Sequence, residues 1–347
     1  VDQSGHVYYA GRGVICKDTS PTFVNCTISN NRAKDGIHYG GGVACINASA
    51  TFRNCSITDN FAFAIGGGVF NDRSTSVFIG CTISRNTSSI GGGILAAYSK
   101  DHFIHCLITH NTALSQTGGV HYSLFEPRFI NCVIANNVSA GAGQSLPGIG
   151  GMDLGTTYAV LVNCSILNNY SAVNFGGISC GDETLLVNCI LQNPGTEIRT
   201  NAMRFPTVTY SNIEGGYPGI GNISSDPMIV DVTGGDYHLL PGSPCIDAGD
   251  STAAAEITYD LDGKTRVLGS AVDLGAYEFY STENTGQFNG ANFFLFNPFW
   301  QRDRENIADP LNETTFGIFD VFPDQQIDIK DLLESLRVRR SYRAVTQ

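Results

Sequence analysis

Gly91-Gly92-Gly93-Ile94-Leu95-Ala96, followed closely by Phe103-Ile104-His105-Cys106-Leu107-Ile108-Thr109-His110-Asn111, is the stretch on which the fold turns. Its pieces recur along the chain. Cysteines stand at Cys26, Cys55, Cys81, Cys106, Cys132, Cys164 and Cys189, with spacings of 29, 26, 25, 26, 32 and 25 residues. Three residues before each is Phe23, Phe52, Phe78, Phe103, Phe129, Leu161 or Leu186; two after is Ile28, Ile57, Ile83, Ile108, Ile134, Ile166 or Leu191. Five after come Asn31, Asn60, Asn86, Asn111, Asn137 and Asn169. A glycine pair recurs at Gly41-Gly42, Gly67-Gly68, Gly92-Gly93, Gly118-Gly119, Gly150-Gly151 and Gly176-Gly177, and apolar residues alternate after it, as in Val43 and Cys45. Alternation of period two marks a strand with one buried face. Each unit reads as strand, turn, strand, bend, strand, with asparagines and glycines at its corners and the glycines in left-handed backbone there.

A unit of this size cannot bury its apolar side alone, so neighbours must stack. The stack predicted is all-β, a parallel β-helix whose coils rise by about 4.8 Å, the spacing of strands in a sheet. Asparagines on successive coils are placed to hydrogen-bond one another through their side-chain amides. Forty glycines against three methionines and one tryptophan agree with many tight turns. At 42% hydrophobic residues the chain is a folding one, and no apolar run reaches the ~20 residues of a membrane helix. Lys plus Arg number 20 against 32 Asp plus Glu, a net charge of −12, which argues against nucleic acid as a partner because a polyanion binder needs a basic footprint.

With these residues on view, the chain resembles the right-handed single-stranded parallel β-helix proteins of the pectate-lyase-like class over residues 10–195. The Gly-Gly-Gly-Val/Ile and Phe-x-Asn-Cys pattern is similar to the repeats of polymorphic outer-membrane-type surface proteins. The resemblance implies fold; activity does not follow, because lyases, hydrolases, adhesins and fibres share this scaffold.

The 11 cysteines are odd in number and lack Cys-x-x-Cys or Cys/His metal spacing. Stacked in register, their parallel side chains disfavour the disulfide dihedral, so they read as small buried hydrophobes. Asn-Cys-Thr/Ser at Asn25, Asn54 and Asn163 matches a glycosylation acceptor but follows from the repeat itself. Val1 is expected to be a processed or truncated start.

After Gln192 the repeat fades, and residues 194–235 are expected to form irregular last coils that close a 1–235 β-helix domain. Tyr237 to Asp250, then Asp260-Leu-Asp-Gly263, Arg266 and Val272 to Glu278, resemble the choice-of-anchor Q block of secreted bacterial β-helix proteins. That resemblance implies an extracellular location at the cell surface, with residues 236–280 packing on the last coils and their Asp and Arg residues clamping the block there. Residues 281–319 form an aromatic linker, with Phe293, Phe294, Phe296, Phe299 and Trp300 as its densest run. Such a tail must cover apolar surface, either along its own β-helix or at the incomplete first coil of a second copy, which gives a head-to-tail filament. Residues 320–347 resemble half of a dockerin-type calcium module leading into a short helix, with Asp320, Asp324, Gln326, Asp328 and Asp331 as candidate ligands. The alternative is a capped helix with Asp328 at its N-cap and no metal.

The best chemical constellation in the repeats is the position four after the ladder cysteine, which places Asp59, Arg85 and His110 in one surface column. It reads as catalytic in a polysaccharide-cleaving enzyme or as a surface ion pair. The expected function is a structural or adhesive β-helix of the bacterial surface that self-assembles, the alternative a carbohydrate-active enzyme or glycan binder. Self, glycan and cell envelope are the expected partners, and calcium is the one candidate cofactor.

Overall fold

The computed structural model describes residues 9–280 except 11–12, 34–37, 142–147, 156–157, 182 and 201–204. Three parallel sheets of eight strands each run the length of the stack. The first contains Val14–Lys17, Val43–Ile46, Val69–Asp72, Ile94–Ala97, Val120–Ser123, Met152–Asp153, Ile178–Cys180 and Ile198–Thr200, which number the rungs one to eight. The second runs from Thr22–Val24 to Thr207–Thr209 and the third from Thr27–Ser29 to Asn212–Ile213. A fourth, six-stranded sheet of two-residue strands from Arg32–Ala33 to Tyr170–Ser171 fills the bend. The chain is therefore an all-β parallel solenoid. Its eighth rung extends past Gln192, where the sequence pattern has faded: Val208, Ser211 and Ile213 occupy the places of Phe, Cys and Ile. The stack needs only an inward apolar residue there.

The interior is built from ladders. Phe23, Phe52, Phe78, Phe103 and Phe129 stack ring on ring at 4.9 Å with interplanar angles of 4–8°. In the interior of the asparagine ladder every bonding position of the amide is satisfied. Asn111 Nδ2 donates to Asn137 Oδ1 at 2.9 Å and to the Ile83 carbonyl at 2.9 Å, while its Oδ1 accepts from Asn86 Nδ2 and from the Asn86 backbone N–H, both at 3.0 Å. Two donors and two acceptor sites are the full inventory of a primary amide. Glu197 ends the ladder, its two carboxylate oxygens taking the backbone N–H and the Nδ2 of Asn193. The ladder cysteines are free thiols, buried except for half-buried Cys26.

Glycines take left-handed backbone at the corners as expected, at Gly40, Gly66 and Gly91, each just before a glycine pair, with φ of 71°, 64° and 67°. Left-handed backbone also falls on the residue four after each of the first six ladder cysteines, with φ of 58° at Asn30, 58° at Asp59, 54° at Arg85, 57° at His110, 55° at Asn136 and 49° at Asn168. The glycine pairs serve another need: a Cβ at Gly92 would lie 2.5 Å from the Thr112 carbonyl and 2.6 Å from the Gly118 oxygen, both backbone in the next rung. Close approach of chains excludes a side chain there.

Residues 1–279 form one compact unit and the chain divides after Phe279. Apart from the antiparallel pair Ile229–Asp231 and Asp236–Leu239, residues 214–279 are turns and bridges. This segment lies along the outer face of the third sheet. There the outward residues change from Thr27, Ser56 and Thr82 in the first rungs to Val133, Ala135, Leu167 and Ile190, which pack against Tyr237, Leu239, Leu274 and Ala276. Asn131 Nδ2 donates to the Tyr259 carbonyl at 2.7 Å, Asn188 Oδ1 accepts from Asp250 N–H at 2.7 Å, and Ala276 N–H donates to Ser165 Oγ at 3.0 Å. Asparagines of the corner before each cysteine thus hold the segment. Arg266, expected to clamp the block onto the coils, is fully buried within the block, donating to the carbonyls of Asp273 and Gly275 at 2.8 and 2.7 Å.

Burial sets a pH dependence. It pushes the Glu197 carboxyl up to about 7, and it pushes Glu278 up to about 8 although Arg266 pulls the other way. In the unfolded chain both titrate near 4.3. A carboxyl raised in the folded state stabilises fully below its unfolded pKa, and that stabilisation is lost as pH rises through the folded one. Thermal melts should therefore show stability falling by about 2 kcal/mol from pH 6.5 to 8.5, a drop of several degrees. Glu278→Gln should flatten the slope; a flat profile in the parent chain would contradict the burial argument.

Candidate functional site

The structure brings Asp59, Arg85 and His110 together as the spacing predicted, on the corner after the third sheet. Arg85 Nε and Nη2 donate to the two oxygens of Asp59 at 2.8 and 2.9 Å. The guanidinium holds the Asp59 carboxyl below its ordinary pKa, and burial with the Arg85 charge lowers that of His110. Both carboxylate oxygens are engaged by one cation, the arrangement of an exposed ion pair, with side chains 60% and 37% exposed. Beyond them the column continues into Asn136 and Asn168, and Asn136 Nδ2 donates to the Val232 carbonyl at 2.8 Å. The upper half of the column is thus a docking rail.

The candidate calcium ligands Asp320, Asp324, Gln326, Asp328 and Asp331, the short helix, and the tail residues Phe293, Phe294, Phe296, Phe299 and Trp300 lie outside the described residues. Among the described residues no group of three or more His, Cys, Asp or Glu is placed to hold a metal ion.

A second constellation was missed by the sequence reading. At the corner between the first and second sheets, Arg73, Ser74, Thr75, Tyr98, Lys100 and Phe125 line a shallow groove of about 380 Å³. Tyr98 and Phe125 meet edge to face at 6.2 Å, the Arg73 guanidinium lies 5.7 Å from the Tyr98 ring, and the Lys100 ammonium lies 5.8 Å from the Phe125 ring. Each cation has an acid beside it, Asp72 at 3.0 Å from Arg73 and Glu126 at 3.9 Å from Lys100. The rings are 48% and 43% exposed.

The backbone here is unusual. In the first five rungs the residue after the first-sheet strand is left-handed, and in the first two it is Asp18 and Asn47, types that tolerate such angles. From the third rung it becomes Arg73 at 49°, Tyr98 at 52° and Leu124 at 68°, with Phe125 following at 76°. Bulky side chains at positive φ cost roughly 1–3 kcal/mol each, and such strain gathers at functional sites. Comparing the residue after each first-sheet strand from rung to rung would have exposed this switch from Asn and Asp to aromatics. The groove can stack a flat or ring-shaped ligand on its aromatic faces while its paired charges reach hydroxyl or acidic groups at the rim.

Residues 6–126 match the family described as the right handed beta helix region. The crystal structure of pectate lyase Pel9A superposes with a TM-score of 0.39 at 14% identity, covering 73% of this chain and 83% of that one. No curated protein matches the chain. The sheets and ladders make this chain a parallel β-helix, and over residues 6–126 it is similar to the right-handed β-helix family.

Proposed function

We propose that this chain is a secreted structural and adhesive protein of the bacterial surface, in which the solenoid is a rigid rod and the Tyr98 and Phe125 groove is its glycan-binding face. The observation that carries the reading is a pair of exposed, cation-flanked aromatic rings held at left-handed backbone angles that Asn would satisfy at lower cost. The surface location is supported by the likeness of residues 237–278 to the choice-of-anchor Q block and of the repeats to polymorphic surface proteins.

The test replaces Tyr98 and Phe125 together by Asn and measures binding to a panel of neutral and acidic polysaccharides by affinity electrophoresis. Binding should weaken at least tenfold, while the melting temperature holds or rises slightly because Asn relieves the backbone strain. Equal binding by the double variant and the parent chain would remove the groove from the proposal.

A further inference from the structure

On the outer face of the first sheet, in the fifth rung, His121 stands between Leu95 of the fourth rung and Asp153 of the sixth. Ser123 lies two residues on and so on the same face of the strand. Its Oγ is 3.3 Å from His121 Nε2. On the other side of the ring, His121 Nδ1 is 3.2 Å from Thr117 Oγ1 and 3.6 Å from Asp153 Oδ2. Asp153 is itself positioned, its Oδ1 accepting the Gly155 N–H at 3.2 Å. A hydroxyl on one imidazole nitrogen and a carboxylate on the other is the arrangement by which a serine becomes a nucleophile, and it is recognised by geometry and not by chain order.

The chain immediately after Ser123 completes the set. In the lower rungs the corner N–H bonds to the next rung, as Arg73 does to Ala97 and Tyr98 to Ser123. The sixth-rung strand ends at Asp153, and the N–H groups of Leu124 and Phe125 make no hydrogen bond to another described residue. Their successive φ values of 68° and 76° depart from extended backbone. A donor N–H on the residue after the nucleophile is the usual source of an oxyanion site.

We propose that Ser123, His121 and Asp153 are a nucleophile, base and orienting acid for acyl transfer, with the Leu124 and Phe125 N–H groups as oxyanion donors and a short-chain O-acyl ester as substrate. Ser123 Oγ bonds to the ester carbonyl carbon as its proton passes to His121 Nε2. The C–O bond to the alcohol then breaks, and the departing oxygen takes that proton. Water attacks the acyl-Ser123, giving its proton to Nε2; the carboxylic acid leaves and the proton returns to Oγ. With Nδ1 protonated, its hydrogen bond goes to Thr117 Oγ1 at 3.2 Å, the Asp153 carboxylate at 3.6 Å stabilises the imidazolium that forms, and Nε2 is free to accept. The Ser123 side chain is exposed at the outer face of the sheet, where a small ester reaches it. That the alcohol is a saccharide hydroxyl rests on the glycan reading of the groove, which begins at Phe125, two residues from the nucleophile.

The experiment treats the full chain with a fluorophosphonate probe and maps labelled serines by peptide mass spectrometry, with exposed Ser49 as internal reference. Ser123 should label at least tenfold faster than Ser49, and His121→Gln should abolish the difference. Ser123→Ala, which alters one exposed side chain, should lower kcat/KM for 4-nitrophenyl acetate at least a hundredfold with an unchanged melting curve. Labelling of Ser123 no faster than Ser49, or hydrolysis retained in Ser123→Ala, overturns the proposal. The probe carries no sugar, so its failure leaves glycan binding standing, and failure of the polysaccharide panel leaves the acyl-transfer set standing.

Discussion

Replacing Asn111 by Ala is expected to lower the unfolding free energy by about 4 kcal/mol, measured as a shift in the urea midpoint at constant slope. The loss comes from what the substitution strands. The Ile83 carbonyl loses its donor, and the Asn86 backbone N–H and Asn86 Nδ2 both lose the Oδ1 they share. All of these lie in a fully buried ladder where water does not take over. Each buried group left unpaired costs about 1–3 kcal/mol, so three of them outweigh the better chain propensity of Ala. The same change at half-buried Asn31 should cost about 1 kcal/mol, because solvent can replace the partners there. Equal losses at the two positions would show that the ladder is not the source.

Phe103→Ala should cost about 3–5 kcal/mol by the same measurement. Its ring lies between Phe78 and Phe129 at 4.9 Å on each side and is wholly buried, so truncation removes two stacking partners and leaves a cavity bounded by rigid rungs. Rungs tied by backbone hydrogen bonds on three sheets cannot close on the gap. Phe103→Leu should cost less than about 1.5 kcal/mol, since the column itself passes to Leu161 and Leu186 in later rungs with both fully buried. If the Ala and Leu variants melted together, volume would not be what the column supplies.

Much of this molecule was legible in its sequence, for a definite reason. In a solenoid one residue type stacks on itself, so the Phe, Cys, Ile and Asn columns print the period, the inward face and the register directly. The Asp59, Arg85 and His110 column could be placed from spacing alone for the same reason. What spacing could not give was that Arg85 grips both oxygens of Asp59 and turns a candidate site into an ion pair, because that depends on side-chain reach across rungs. The groove was illegible because its corner changes residue type at every rung, from Asn47 to Arg73 to Tyr98 to Leu124, and periodicity cannot register a position that does not repeat. The docking place of residues 214–279 left a weak trace, the change from Thr and Ser to Val, Ala, Leu and Ile on the outer face of the third sheet.

The sequence by itself determined the rung, its interior ladders and the parallel stack, since these are set by residues that meet copies of themselves one period away. Tertiary structure decided which corners turn left-handed, where the C-terminal segment lies, and which side chains meet outside. Those outcomes follow from contacts such as Asn188 with Asp250 and His121 with Asp153, between residues unlike each other and far apart in the chain, whose meeting no local pattern encodes.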